Sequence, residues 1–460
     1  MDPYLDNDYQ NALDFLYSHI NYSLTRNLRY SPEKFNLERM YELLRKLGNP
    51  QLDYATVHVA GTKGKGSVCA LIASVLQTAG YKTGFYSSPH MRDFTERIRF
   101  NNCTIPKKDL ARLVNEIEPV VTSIRNLTTF EITTAIAFLY FSRMKSEIAV
   151  VEVGLGGRLD ATNVIIPIVS VITPISLDHV KILGNTVEKI AMEKSGIIKR
   201  DQPVVVAPQR ESVLKIIEEI ANKKHAHIIE IDRDFSYKQL FHSFEYQTFL
   251  LSHSNDKEKD VFGEEIDSNK YIELSIPLLG KHQVQNAALA FGALEVIKEN
   301  GFRISDNAVK NGFMNTVWRG RFEILSQNPF IIVDSAHNVD STKKLINAID
   351  DYFANYEVIL IFGASEDKDI DGMLKLLSKR AKVIIFTKSS HPRAIEPVEI
   401  RDIAIKYKDN IFTTINCKEA LELAMKSIKK NQLILVTGSI FVVAAISNLW
   451  DKRKKLIVKT

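Results

Sequence analysis

The chain has 460 residues, of which 45% are hydrophobic and 25% charged, with a formal net charge of +5. That length exceeds one ordinary domain and suits two domains with full cores. So small a net charge admits anionic ligands but argues against a nucleic-acid binder, and the longest apolar stretch, Leu433 to Ile446, is interrupted by Gly438 and Ser439 and too short to cross a bilayer. Cys69, Cys103 and Cys417 are scattered, without metal-ligand spacing, as expected in a reducing compartment. The N-terminus, Met1-Asp2-Pro3-Tyr4-Leu5-Asp6, is acidic with no apolar core, which is unlike a signal peptide. The expected location is the cytoplasm, and the basic run Lys452 to Lys455 is expected to be a solvated tail.

In chain order, Leu13, Leu16, Tyr17 and Ile20, then Leu37, Met40, Tyr41, Leu44 and Leu47, recur at helical spacing. Thr56 to Ala60 reads as a buried strand running into a glycine-rich turn, followed by a helix from Val68 to Ala79 that Gly80 ends, and by a strand from Lys82 to Ser87. The alternation continues with a helix over Ile132 to Phe141, strands over Ile148 to Val153 and Ile168 to Thr173, a helix over Val187 to Lys194 and a strand over Val204 to Val206. Ser252 to Lys270, dense in charged and small polar residues, predicts an exposed loop between strands. Gln283 to Lys298 is a long helix, and strands recur at Phe330 to Val333, Val358 to Phe362, Val383 to Phe386 and Leu433 to Val436. Short apolar strands alternating with helices predict a largely parallel sheet covered on both faces. The fold class is α/β: a P-loop NTPase-like, mostly parallel sheet domain over 1–305, then a smaller Rossmann-like α/β domain over 306–460.

Gly61-Thr62-Lys63-Gly64-Lys65-Gly66-Ser67 lies between a strand and a helix, where backbone N–H groups and the helix N-terminus form a cradle for phosphate. Lys65 is placed to reach the β- and γ-phosphates, and the Ser67 hydroxyl to cap the helix or face phosphate or metal. The loop is shorter than the common G-x-x-x-x-G-K-[ST] form, with Gly66 between the lysine and the serine. Three other segments carry oxygen and nitrogen ligands at expected strand ends: Ser87 to His90, Val151 to Asn163, and Leu177-Asp178-His179. Singly, Ser88 reads as a turn before proline, Glu152 as a salt-bridged acid, His179 as a loop histidine, and Lys194 as a helix-end lysine suited to the dipole.

The stretch His58 to Ser67 resembles the signature of the Mur ligase superfamily, most closely its folylpolyglutamate synthase and dihydrofolate synthase branch, which most often has Asn at the position of Lys63. The resemblance spans nearly the whole chain. It implies that ATP is bound by Gly61 to Ser67, with Asn286 at the adenine and Arg321, Asp334 and His337 contributed by the second domain. It implies two Mg2+ ions, the first held by Ser88 and Glu152 and the second by His179, and a carbamylated Lys194 (N6-carboxylysine) directed to the second. Ser195 stands where the family usually has Ala, and Ser335 where it has Gly or Ala. Catalysis is then expected from Lys65, Glu152, His179, Lys194 and Arg321. Thr128, Thr129, Phe130 and Glu131 match a pterin-binding stretch and Leu159 a pteroate contact, beside the alternative of a helix staple and cap. Lys388 and Arg393 are candidates for the carboxylates of glutamate.

The implied reaction joins L-glutamate to the carboxylate of dihydropteroate, or to the glutamate tail of folates, or both, through an acyl phosphate. The implied enzyme is a monomer acting on small molecules, without nucleic-acid or membrane partners. About sixty residues precede the loop, too few for a nucleotide-sugar domain, which favours the folate branch over the cell-wall ligases. The alternatives are a ligase for another carboxylate and a non-catalytic nucleotide switch, but a switch would not need the second metal or its lysine.

Overall fold

A computed structural model describes residues 3–20, 36–253 and 271–457. Met1-Asp2 and all but Ser252 and His253 of the expected exposed loop lie outside the described residues. Two compact units form: one comprises Met1–Leu240, Thr248–Ile276 and Val284–Thr316, the other Phe241–Gln247, Pro277–Gln283 and Val317–Thr460.

The first unit opens with helices α1 (Pro3–Ser18) and α2 (Glu38–Lys46). In α2 only Met40, Leu43 and Leu44 are buried, the one-sided pattern of a surface helix. Strand β1 (Ala55–Ala60) leads through the glycine loop to α3 (Lys65–Thr78), then β2 (Thr83–Tyr86), β3 (Ile98–Phe100) and β4 (Cys103–Thr104). Helices α4 (Lys107–Thr122) and α5 (Thr129–Arg143) precede β5 (Ile148–Glu152) and β6 (Val169–Ile172); α6 (Val180–Leu183) and α7 (Val187–Ser195) precede β7 (Val204–Val206), α8 (Glu211–Lys223) and β8 (Ile228–Glu230). The eight strands form one sheet in the order β4-β3-β2-β5-β1-β6-β7-β8. β2, β5, β1, β6, β7 and β8 are parallel, while β3 and β4 add antiparallel at one edge.

Every residue of β5 is buried, because helices cover both faces and leave no solvent side for polar alternation. Helix α3 is apolar almost all round, and Val68 to Ala73, Val75 and Leu76 are buried. It starts three residues earlier than the apolar run suggests, since its first turn is the polar Lys65-Gly66-Ser67. Gly80, at φ +94°, ends it. Ile20 lies beyond α1 and pairs instead with Thr128 in an isolated bridge.

A separate three-stranded sheet consists of β9 (Phe235–His242), β10 (Gln247–His253) and β11 (Ile272–Ile276). Ser252 is therefore a buried strand residue rather than part of a loop. Helices α9 (Lys281–Glu299) and α10 (Asp306–Met314) follow. Gly312 of α10 packs so closely on α3 that an added Cβ would lie 2.5 Å from the Val75 Cα, and its carbonyl accepts from the Ser74 hydroxyl at 2.6 Å.

The second unit holds β12 (Glu323–Gln327), β13 (Phe330–Val333), α11 (Val339–Phe353), β14 (Glu357–Phe362), α12 (Ile370–Arg380) and β15 (Ala381–Phe386). It ends with α13 (Pro397–Ala404), β16 (Ile411–Thr413), α14 (Cys417–Ser427), β17 (Gln432–Thr437) and α15 (Ile440–Ile457). Its sheet runs β12-β13-β17-β14-β15-β16, parallel except for β12. Its core includes Phe322, Ile332, Phe353, Leu360, Phe362 and Phe386. Among the described residues no helix is long and apolar enough to cross a membrane.

The α3–α10 contact is tested by Gly312→Val. Its methyl groups meet backbone that cannot yield, so the variant is expected to lose about 1–3 kcal/mol of the first unit's stability, measured by urea denaturation.

Candidate functional site

The site begins where β1 stops. β1 lies between β5 and β6, with Val59 opposite Glu152 and Ala60 opposite Ile172. Three adjacent strands thus deliver the glycine loop, the Glu152 segment and the Thr173 to His179 segment to one edge of the sheet, the edge at which α/β folds bind ligands. Gly61 has φ +143°, and an added Cβ would lie 1.8 Å from the Thr173 Oγ1. Gly64, at φ +94°, caps α3 without a side-chain bond, and a Cβ there would lie 2.3 Å from Oδ1 of the buried Asn286. No side chain caps the first turn of α3, an arrangement that suits an anion.

Charged groups surround this loop. The Lys65 Nζ lies 3.9 Å from the Glu152 Oε1, and the other oxygen of this buried carboxylate accepts from the Ser88 amide at 3.3 Å. The Lys63 Nζ donates to the Asp178 Oδ2 at 2.9 Å. The next residue, His179, is exposed and holds φ +49° at the start of α6. Lys194 reaches from the last turn of α7 to donate to the Gly61 carbonyl at 2.8 Å. Burial brings its pKa down to about 7; the neighbouring Lys65 and Lys63 push the same way, and Asp178 and Asp160 oppose them. A buried lysine late in a helix, bonded to the phosphate loop, is thus a different object from the exposed helix-end lysine that its local sequence also allows.

The segment after β5 folds back tightly. A Cβ on Gly154 would lie 2.4 Å from the Phe130 ring, and one on Gly157 2.7 Å from the Glu193 carbonyl. Asp160 holds the turn together: it accepts from the Leu155 amide at 2.8 Å, the Thr162 amide at 3.1 Å and the Thr162 hydroxyl at 2.5 Å. The Thr162 oxygen then accepts from the His58 Nε2 at 2.8 Å, linking this turn to β1. Burial keeps His58 neutral by holding its pKa well below the usual range. Sequence reasoning does not single out His58, Asp160 or Thr162; the run Leu159-Asp160-Ala161-Thr162, with a carboxylate two residues before a hydroxyl, is the available signal.

Thr128 and Glu131 form a capping box for α5. The Thr128 side chain accepts from the Glu131 amide at 3.1 Å, and the Glu131 carboxylate from the Thr128 amide at 2.8 Å. That carboxylate also pairs with Arg39 at 3.3 Å, and the Thr129 hydroxyl donates to the Leu16 carbonyl at 2.8 Å. Phe130 and Leu159 are half-buried.

In the second unit Asp334 leaves β13 and closes the preceding turn, accepting from the Phe322 and Ala336 amides, each at 2.8 Å. Half-buried Arg321 sits in that turn, between Gly320 at φ +72° and Phe322 at φ +46°. The cap of α11 is Asn338 rather than Asp334, and the His337 Nδ1 lies 2.9 Å from the Ser335 carbonyl. Lys388 is held by both oxygens of Glu396, at 2.7 and 2.9 Å, and an Arg393 Nη1 lies 3.6 Å from Asp367.

Among the described residues no group of three or more His, Cys, Asp and Glu converges as a ready-made metal cage. The Glu152 carboxylate, which accepts from the Ser88 amide beside the loop, supplies hard oxygens and fits an ion that takes its remaining ligands from phosphate and water. The loop's own geometry is tested by Gly64→Ala. Left-handed backbone and the Asn286 side chain both oppose the methyl group, so nucleotide affinity is expected to fall about tenfold or more, read by fluorescent-nucleotide titration with the circular dichroism spectrum unchanged.

Residues 59–294 match the Mur ligase middle domain, and residues 320–440 the Mur ligase glutamate ligase domain. The dihydrofolate synthase/folylpolyglutamate synthase of Bacillus subtilis is 34% identical, covering 97% of this chain and 99% of that one. Among solved structures, Mycobacterium tuberculosis folylpolyglutamate synthase complexed with ADP is 28% identical with a TM-score of 0.86, covering 97% and 99% of the two chains. An Escherichia coli structure in complex with DHPP and ADP is 29% identical with a TM-score of 0.83, covering 97% and 98%. Loop, strand order, both domain matches and end-to-end similarity agree: the chain belongs to the Mur ligase superfamily, in the folylpolyglutamate synthase and dihydrofolate synthase family.

Proposed function

We propose that this chain is an ATP-dependent ligase that joins L-glutamate to dihydropteroate, to the glutamate tail of folates, or to both. The observation that carries the reading is the phosphate loop with Lys65 beside Glu152 and Lys194 bonded beneath it, in a chain similar throughout its length to an enzyme bearing both names.

ATP lies with its phosphates on the Gly61 to Ser67 loop, where α3 N–H groups and Lys65 stabilise negative charge. A carboxylate oxygen of the pterin substrate attacks the γ-phosphorus, and the bond to the β-bridging oxygen breaks, giving acyl phosphate and ADP. The glutamate amine then attacks the acyl carbon, phosphate leaves, and the amine loses its proton. Two Mg2+ ions, when bound, neutralise phosphate charge; Ser88 and Glu152 would hold one and His179 the other. Asn286, whose side chain lies against Gly64, is assigned to the adenine, and Arg321, Asp334 and His337 are assigned to the nucleotide. Half-buried Phe130 and Leu159 offer apolar surface to the pterin. The Glu131 carboxylate already serves the capping box and Arg39, so Thr128, Thr129 and Glu131 act mainly by shaping that surface. Lys388, beside Glu396, and Arg393, beside Asp367, are assigned to the carboxylates of glutamate. We place the enzyme in the cytoplasm as a monomer.

We also assign carbamylation to Lys194. The reaction joins the amine nitrogen to the carbon of CO2 and releases a proton, so it requires the neutral amine, and the carbamate nitrogen keeps one N–H for the Gly61 carbonyl. With a pKa of about 7, Lys194 is mostly protonated at about pH 6 and mostly neutral at about pH 8. Labelled CO2 on Lys194, followed by 13C NMR, is expected to rise between those values and to be absent in Lys194→Met at both.

The reaction is tested by phosphate release from ATP plus glutamate, with dihydropteroate and separately with a tetrahydrofolate. Glutamate-dependent release with at least one acceptor is expected; none with either rejects the folate reading and leaves a ligase of another carboxylate.

A further inference from the structure

The glycine loop is fastened to the segment leaving β6 by more than strand pairing. The Thr62 and Lys63 amides both donate to the Pro174 carbonyl, at 3.0 and 3.2 Å. The Thr62 hydroxyl donates to the Ser176 carbonyl and accepts from its amide, each at 3.1 Å. Further out, the link is made by charge. Lys63 and Asp178 pair at 2.9 Å with side chains only 13% and 9% exposed. The second oxygen of Asp178 accepts from the His179 amide at 3.0 Å. One carboxylate therefore joins the phosphate loop to the turn that presents His179. So shielded a pair is poorly screened by water, and removing either partner leaves the other desolvated and uncompensated.

We propose that Lys63 is a positioning residue: acting through Asp178, it pins the His179 turn against the phosphate loop and is not itself a ligand of the nucleotide phosphates. The position of its ammonium supports this, since it donates to Asp178, whereas Lys65 starts α3 and its ammonium lies beside Glu152. The consequence for turnover rests on the ligase reading above; the brace itself does not.

The experiment uses the full chain with Lys63→Met, Asp178→Asn, the double variant and Lys63→Arg. Each neutral single variant is expected to lower kcat about tenfold, with KM for ATP within about twofold of the parent. The double variant is expected to fall no further than the worse single one, because both remove the same interaction; Lys63→Arg is expected to keep most of the activity. Amide hydrogen exchange across residues 176–183 is expected to quicken about tenfold in either single variant, with exchange in β6 unchanged as the control for folding. Additive losses, or a raised KM for ATP at constant kcat, would make Lys63 a direct nucleotide contact and overturn the proposal. Unchanged exchange at residues 176–183 would overturn it as well. If the parent ligates no acceptor, the ligase reading fails, and the exchange measurement alone decides whether the brace exists.

Discussion

Parallel pairing of β1 with β5 on one side and β6 on the other is the constraint on which the site depends. Parallel strands finish at the same edge of a sheet, so whatever follows them is gathered there without any direct sequence relation. Gly61, Glu152 and Thr173 are far apart in the chain, yet the register sets Val59 against Glu152 and Ala60 against Ile172. The register also explains why Gly61 admits no side chain: the Thr173 hydroxyl occupies the space a Cβ would need. A slip of one residue would turn every side chain of the slipped strand to the other face and shift the loop relative to Glu152.

Positive charge is then distributed around the loop by three lysines with different settings. Lys65 opens α3 and approaches Glu152; Lys63 is paired with Asp178; Lys194 is buried and bonded to the Gly61 carbonyl. Loss of water and crowding by like charge both favour the neutral form of Lys194. Asp160, Thr162 and His58 add a hydrogen-bonded link between β1 and the turn after β5.

Much of this was legible in the sequence where the signal is local. Continuous apolar runs located β1, β5, β6, β13, β14 and β17, because strands buried on both faces carry no polar alternation. Of the sheet β9–β11, the sequence indicated strands only on either side of the Ser252 to Lys270 segment; β9 was not legible, because its residues are mostly half-buried or exposed and lack the run of apolar residues that marks a central strand. The start of α3 was misplaced toward Val68 because its first turn is polar and glycine-containing, as a phosphate-binding turn must be. Glu131 illustrates the same limit. Its spacing from Thr128 suits both a ligand and a capping box, and only the folded chain, with Arg39 brought alongside, shows what the carboxylate touches.

By itself the sequence determined the phosphate loop, the alternation of strands and helices, and the ligase family that those motifs resemble. These are properties of residue type and spacing, which short-range sterics and periodicity express directly. Tertiary structure decided the strand order, the burial of Lys194 and its bond to Gly61, the pairing of Lys63 with Asp178, and the use of the Glu131 carboxylate at a helix cap. Each of these depends on groups distant in the chain being brought within a few ångströms and removed from water, and neither proximity nor desolvation is written in local sequence.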